Sequence, residues 1–121
     1  MNMFPCYFRD QFGGRRVFLA GPVGRPFSSE DVKRYEQHEA WLRDMGARDV
    51  FNPYRIMVPN ADLHEMSAML LKELLWHEPD GFIWEVLYCM DGWDQSHAAM
   101  VQMAVAQEIG IDIYPERMER M

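Results

Sequence analysis

The chain has 121 residues, enough for one compact domain and short for two. Half of it (49%) is apolar and 13% is aromatic, so a real core can form and intrinsic disorder is excluded. Lys plus Arg number 12 against 19 Asp plus Glu, a net charge of −7. That argues against a DNA or RNA partner, which needs a basic face to displace phosphate counterions. A small anionic ligand held by a few local donors remains compatible. Two cysteines, Cys6 and Cys89, make neither a disulfide framework nor a metal-finger spacing, and a reducing, cytoplasmic setting is the expectation. Residues 1–8 lack the basic region and cleavage site of a leader. No apolar run nears the ~20 residues of a membrane span, so no membrane partner is expected. Eleven methionines fit soft core filling or an adaptable interface.

Residues 1–14 read as a loose lead-in ending at Gly13-Gly14, and 15–114 as a single domain. Arg15 to Ala20 is a short continuous apolar run, the pattern of a parallel strand covered on both faces. The turn cluster Gly21-Pro22-Val23-Gly24-Arg25-Pro26 stops it. Ser28 with Asp31 resembles a capping box opening a helix, with Val32, Tyr35, Leu42 and Met45 at helical spacing and Gly46 as its stop. Asp49 to Phe51 predicts a second strand, broken by Asn52-Pro53 and followed by a long loop over 53–61. Asp62 caps a helix to about His77, with Leu63, Met66, Leu70, Leu71, Leu74 and Leu75 as its buried stripe. After the turn 78–81, the run 82–89 predicts the third strand. Ser96 caps a helix over 97–109, ended by Gly110, and 111–114 predicts the last strand. The tail, 115–121, is charged and expected to fray.

The order is β-α-β-α-β-α-β. It predicts an α/β, Rossmann-like (flavodoxin-like) three-layer sandwich with a four- to five-stranded, mainly parallel sheet. Ligands in such sheets sit beyond the carboxyl ends of the strands, at the switch point. Two loops belong there, 21–27 and 90–96. In the first, Gly21, Pro22, Gly24 and Arg25 offer close backbone approach and a bidentate phosphate donor, or simply a turn. The loop matches neither a Walker loop nor a dinucleotide fingerprint. In the second, Ser96 and the amides behind it offer an anion site or an ordinary N-cap.

Val17 to Pro22, then Phe51-Asn52-Pro53, then Pro79 to Ile83, then Gly92-Trp93-Asp94-Gln95-Ser96-His97-Ala98-Ala99, resemble the nucleoside 2-deoxyribosyltransferase-like superfamily, in particular its small bacterial and phage branch. The resemblance covers about 15–114. It implies a homodimer or higher homo-oligomer, no cofactor, and a nucleoside or nucleotide as the small-molecule partner. The chemistry it implies is cleavage or exchange of the N-glycosidic bond of a deoxynucleoside or its 5′-monophosphate. A carboxylate attacks the anomeric carbon and forms a covalent glycosyl-enzyme. The family nucleophile, a Glu six residues after the motif serine, falls on Gln102; the first-strand tyrosine falls on Phe18, the helix aspartate near Leu70, and the motif glycine on Ala98. Gln is isosteric with Glu and can hydrogen-bond a ligand, but it is not a competent nucleophile.

Other carboxylates could substitute. Glu85, read as buried mid-strand, is an acid–base candidate or the partner of a buried arginine. Asp91 and Asp94 flank the second loop, suited to a ribose hydroxyl or to turn chemistry. Asn52, by the resemblance, joins the ligand set. His97 could reach a phosphate or stand exposed in a first helical turn; Trp93 could stack on a base or anchor a core or interface. His38, His64, His77 and His97 show no metal-ligand spacing, so no metal is expected. Three readings follow. One is a nucleotide-binding protein without the family catalysis. The second is an active glycosidase or deoxyribosyltransferase using another carboxylate. The third is an interaction module on the same fold.

Overall fold

The computed structural model describes residues 7, 9–23, 28–56 and 62–117, with backbone alone for Arg9 and Asp10. The first strand is β1 (Arg16–Ala20), followed by β2 (Asp49–Phe51). The helices α2 (Ser29–Asp44), α3 (Leu63–Leu74) and α4 (His97–Ile109) alternate with them. The sheet is completed by β5 (Val86–Cys89) and β6 (Asp112–Pro115). A short helix, α1 (Arg9–Phe12), and a hairpin of β3 (His77–Glu78) and β4 (Gly81–Phe82) stand outside that alternation. The main sheet runs β2-β1-β5-β6, with every pair parallel. Helices cover both faces, giving the Rossmann-like three-layer sandwich. Among the described residues, no helix is long and apolar enough to cross a membrane.

Strand alternation divides the core in two. Val17, Leu19, Val50, Val86 and Tyr88 pack with Tyr35 and Leu42 of α2. Phe18, Ala20, Phe51, Leu87 and Cys89 pack with Leu70 and Leu74 of α3 and Met103 and Ala106 of α4. Side-chain caps start each long helix. The Ser28 hydroxyl accepts from the Asp31 amide at 3.1 Å. The Asp62 carboxylate accepts from the His64 amide at 2.7 Å, and the Ser96 hydroxyl accepts from Ala99 at 3.3 Å. Gly110 closes α4 in the left-handed conformation, φ 80°.

Several segments depart from the sequence reading. The helix expected to reach His77 ends at Leu74, and Leu63 and Leu75, read as part of its buried stripe, are exposed. The start of the tail is held: the Glu116 amide donates to the Cys89 carbonyl and Arg117 pairs with Asp91. The loose lead-in contains α1, because Phe12 is fully buried and packs edge-on against Tyr7, Trp41, Tyr88 and Tyr114, with centroids 5.4–6.2 Å away. The Tyr7 hydroxyl also donates to the Pro115 carbonyl at 2.5 Å. The long third strand is two strands in two sheets. Gly81, at φ 130°, turns the chain back on His77–Glu78. Trp84 then buries itself, Ile83 donates to the Trp76 carbonyl, and Glu85 to that of Arg16. The apolar run over 82–89 hid this bend because Phe82 serves the hairpin and Trp84 the core.

Candidate functional site

β1 pairs with β2 on one side and β5 on the other, so the switch point lies between β1 and β5. At their carboxyl ends the two backbones approach closely. A Cβ on Gly21 would stand 3.0 Å from the Met90 Cβ and from the Tyr35 hydroxyl oxygen. Gly92, at φ 94°, faces the Pro22 ring, with its own notional Cβ 3.0 Å from Pro22 Cγ. The Tyr35 hydroxyl donates to the Pro22 carbonyl at 3.1 Å, fixing that loop from the α2 side.

On the other face, above α3 and α4, the strand ends open into a cleft of about 490 Å³. That is within the usual range for a small-molecule site. Gly21, Pro22 and Val23 form one wall, and Pro53 closes the end near β2. Leu63, His64, Met66, Ser67 and Leu70 come from α3. Gln95, Ser96, His97, Ala98 and Gln102 come from the start of α4 and the turn before it. Gln102 is only 3% exposed, yet its amide makes no side-chain hydrogen bond among the described residues. The amides of His97 and Ala98, in the first turn of α4, likewise have no acceptor there.

Of the residues singled out in the sequence, the cleft gathers Gly21, Pro22, Ser96, His97, Ala98 and Gln102. Gly24 and Arg25 lie outside the described residues. Phe18 is fully buried, stacked on Phe51 with centroids 4.7 Å apart, and does not line the cleft. Asn52 is buried as a cap: its side-chain oxygen accepts from Tyr54 at 3.0 Å, and its nitrogen donates to Glu39 at 3.2 Å. Glu85 stands at the amino end of β5, where its carboxylate accepts from the Arg16 amide at 3.3 Å. A four-residue strand, about 13 Å of chain, separates it from the cleft. Trp93 packs into the α3–α4 core, and neither it nor Asp94 lines the cleft.

Asp91 faces the α2 side. Its amide donates to Glu116 at 2.9 Å, its carbonyl accepts from Arg34 at 2.7 Å, and its carboxylate pairs with Arg117 at 2.5 Å. Buried His38 stands 3.6 Å from Glu116 in the same network. Burial holds the His38 imidazole below its ordinary value; Glu116 opposes the shift and Arg34 reinforces it. A base held below its unfolded value stabilises the fold above that value. This contribution is therefore lost as the pH falls from about 6.5 toward the folded-state value. Urea midpoints should drop between pH 7.5 and 5.5, and His38→Gln should flatten that drop.

Of the α3 wall, the resemblance pointed only to Leu70; Leu63, His64, Met66 and Ser67 were not read as site residues. The signal for that wall was present: the loop after β2 must open at the same sheet edge as the other two, and α3 begins directly beyond it. No group of three or more His, Cys, Asp or Glu among the described residues is placed to hold a metal. Comparison with known proteins returned no matching family model, no matching curated protein and no matching solved structure.

Proposed function

We propose that the cleft binds a small nucleoside or nucleotide and holds it without breaking its glycosidic bond. The chemistry of the lining carries this reading: Gln102, 3% exposed and with no side-chain hydrogen bond among the described residues, and no carboxylate among the described lining residues. The adjoining segments 24–27 and 57–61 contain no Asp or Glu either. Covalent glycosyl transfer needs a carboxylate against the anomeric carbon. Glu85 and Asp91 are engaged elsewhere, at the far sheet edge and on the opposite face. Gln102 can both donate to and accept from a ligand. Pro22, Val23, Met66 and Leu70 supply apolar walls for a ring, and the open amides of α4 suit a phosphate.

The test is a panel of deoxynucleosides and their monophosphates, read by thermal unfolding and by chromatography for released base. A ligand that prefers the native state raises the midpoint, and no base should appear. Ser96→Ala should weaken monophosphate binding about five- to tenfold, the worth of one hydrogen bond. Unchanged affinity, or base release that scales with protein, overturns the reading. Exposed Leu75, Trp76 and Phe82 favour a second reading, an interaction module. In that case no member of the panel shifts the midpoint.

A further inference from the structure

A second surface stands at the other edge of the sheet from the cleft. α3 starts at the cleft with Leu63 and runs for twelve residues, about 18 Å, to Leu74. There the chain passes into the β3–β4 hairpin and on to the amino end of β5, where the Glu85 amide donates to the Arg16 carbonyl. Six large apolar side chains are exposed among the described residues, and three of them, Leu75, Trp76 and Phe82, fall within eight residues here. The hairpin holds them together. The Ile83 amide donates to the Trp76 carbonyl at 3.1 Å, and Phe82 pairs with His77, with ring centroids 5.7 Å apart. His77 Nδ1 is in turn 3.4 Å from the Leu75 carbonyl oxygen. Trp76 is 50% exposed, whereas Trp84, eight residues on, is 5% exposed. A cluster of this kind, unlike a single exposed leucine, marks an interaction site.

The charge around the cluster selects its occupant. Glu73, Glu78 and Asp80 flank it in the chain, against Lys72 alone. None of the three carboxylates has an ion-pair or hydrogen-bond partner among the described residues. At the adjoining sheet edge Arg16 and Glu85 carry opposite signs, and Arg15 is paired with Asp112. The carboxyl end of α3 lies here too, and its last carbonyls favour a cation. A second copy of the chain is disfavoured, because a two-fold contact would set these carboxylates against themselves. A nucleic acid or an anionic lipid surface is repelled. A cationic side chain gains the carboxylates, the helix end and the indole face together.

We propose that the end of α3 and the β3–β4 hairpin dock a basic amphipathic segment of another protein. Its apolar side chains cover Leu75, Trp76 and Phe82, and its Lys or Arg side chains meet Glu73, Glu78 and Asp80. This deepens the interaction reading and leaves the cleft to its own ligand.

Three synthetic peptides serve as probes of the full chain. One is a Leu/Lys amphipathic helix, one has the same composition shuffled so that no apolar face forms, and one is a Leu/Glu amphipathic helix. Calorimetry should show the first binding roughly tenfold tighter than the other two, and weakening as salt is added. Amide signals of 75–82 should shift with it, while those of 96–102 at the cleft should not. Trp76→Ser should weaken this binding about tenfold or more, as loss of a central aromatic anchor does. Glu78→Lys with Asp80→Lys should weaken it about tenfold. Met100→Ser, at an exposed apolar residue of α4, should leave it unchanged. All these residues are exposed, so the variants should fold, and their melting temperatures check this. Equal binding of the shuffled or the Leu/Glu peptide, or no effect of Trp76→Ser, overturns the proposal. A dimer in sedimentation that Trp76→Ser dissolves also overturns it, and gives the patch to a second copy. The nucleoside panel reads the cleft alone. A midpoint shift from that panel with no peptide binding removes the docking surface and keeps the nucleotide reading; the converse keeps the docking surface and removes the nucleotide reading.

Discussion

Phe18→Ala should lower folding stability by about 3–5 kcal/mol, the usual cost of emptying a fully buried phenylalanine site. Phe18 is in a central strand, stacked on Phe51 and edge-on to Trp84 with centroids 6.1 Å apart. The cavity cannot collapse easily, because β1 is held by β2 on one side and β5 on the other. A domain of this size has about 5–15 kcal/mol in total. The variant should therefore approach half-unfolding in mild urea. Leu70 shares this core and lines the cleft, so ligand affinity should fall as well. A loss below about 1 kcal/mol in urea unfolding would contradict so tight a placement.

Gly92→Ala should act on the cleft through strain. A φ of 94° is outside the regions open to most L-residues, and the new methyl would stand 3.0 Å from Pro22 Cγ. The conformational penalty is about 1–2 kcal/mol, before any shift of the proline. Pro22 cannot retreat freely, since the Tyr35 hydroxyl holds its carbonyl. The ring would have to move along the cleft wall it forms. The expected result is a melting temperature several degrees lower and ligand binding weakened by more than stability alone explains. Gly110→Ala is the comparison: its φ is 80°, but no atom lies within 4 Å of the added carbon. It should cost stability and leave binding unchanged. Equal effects on binding would contradict the role given to the Gly92–Pro22 contact.

Helix ends were the most legible part of the sequence. Ser28, Asp62, Ser96 and Gly110 announced them because capping is local chemistry, satisfied within a few residues. The same locality made Ser96, His97, Ala98 and Gln102 readable as one group on one helix start. Glu85 was harder. Its chemistry suggested a buried acid, but the bend at 83–85 moved it to the start of β5, at the sheet edge away from the cleft. That bend depends on Trp84 finding the core, which no pattern within 82–89 encodes. Phe12 was hidden for a similar reason: Tyr7 nearby and three aromatic residues from distant parts of the chain, Trp41, Tyr88 and Tyr114, create its site. His64 was noted only for lacking metal-ligand spacing, because the cleft it lines is closed by residues from another helix more than 30 residues away.

The order of the strands also sets the order in which this protein can assemble. β1 meets β2 soon after both are synthesised, but its other edge waits for β5: Val17 pairs with Val86, about 70 residues later in the chain. Until then one side of an apolar strand is unpaired, and such an edge is where nascent chains associate wrongly. Long-range parallel pairing of this kind is slow, because the loop must close before the contacts repay it. The cleft depends on that same pairing, since the loop after β1 and the start of α4, which follows β5, both line it. A ribosome-bound chain that stops short of residue 86 would carry β1, β2 and their helices without any binding site.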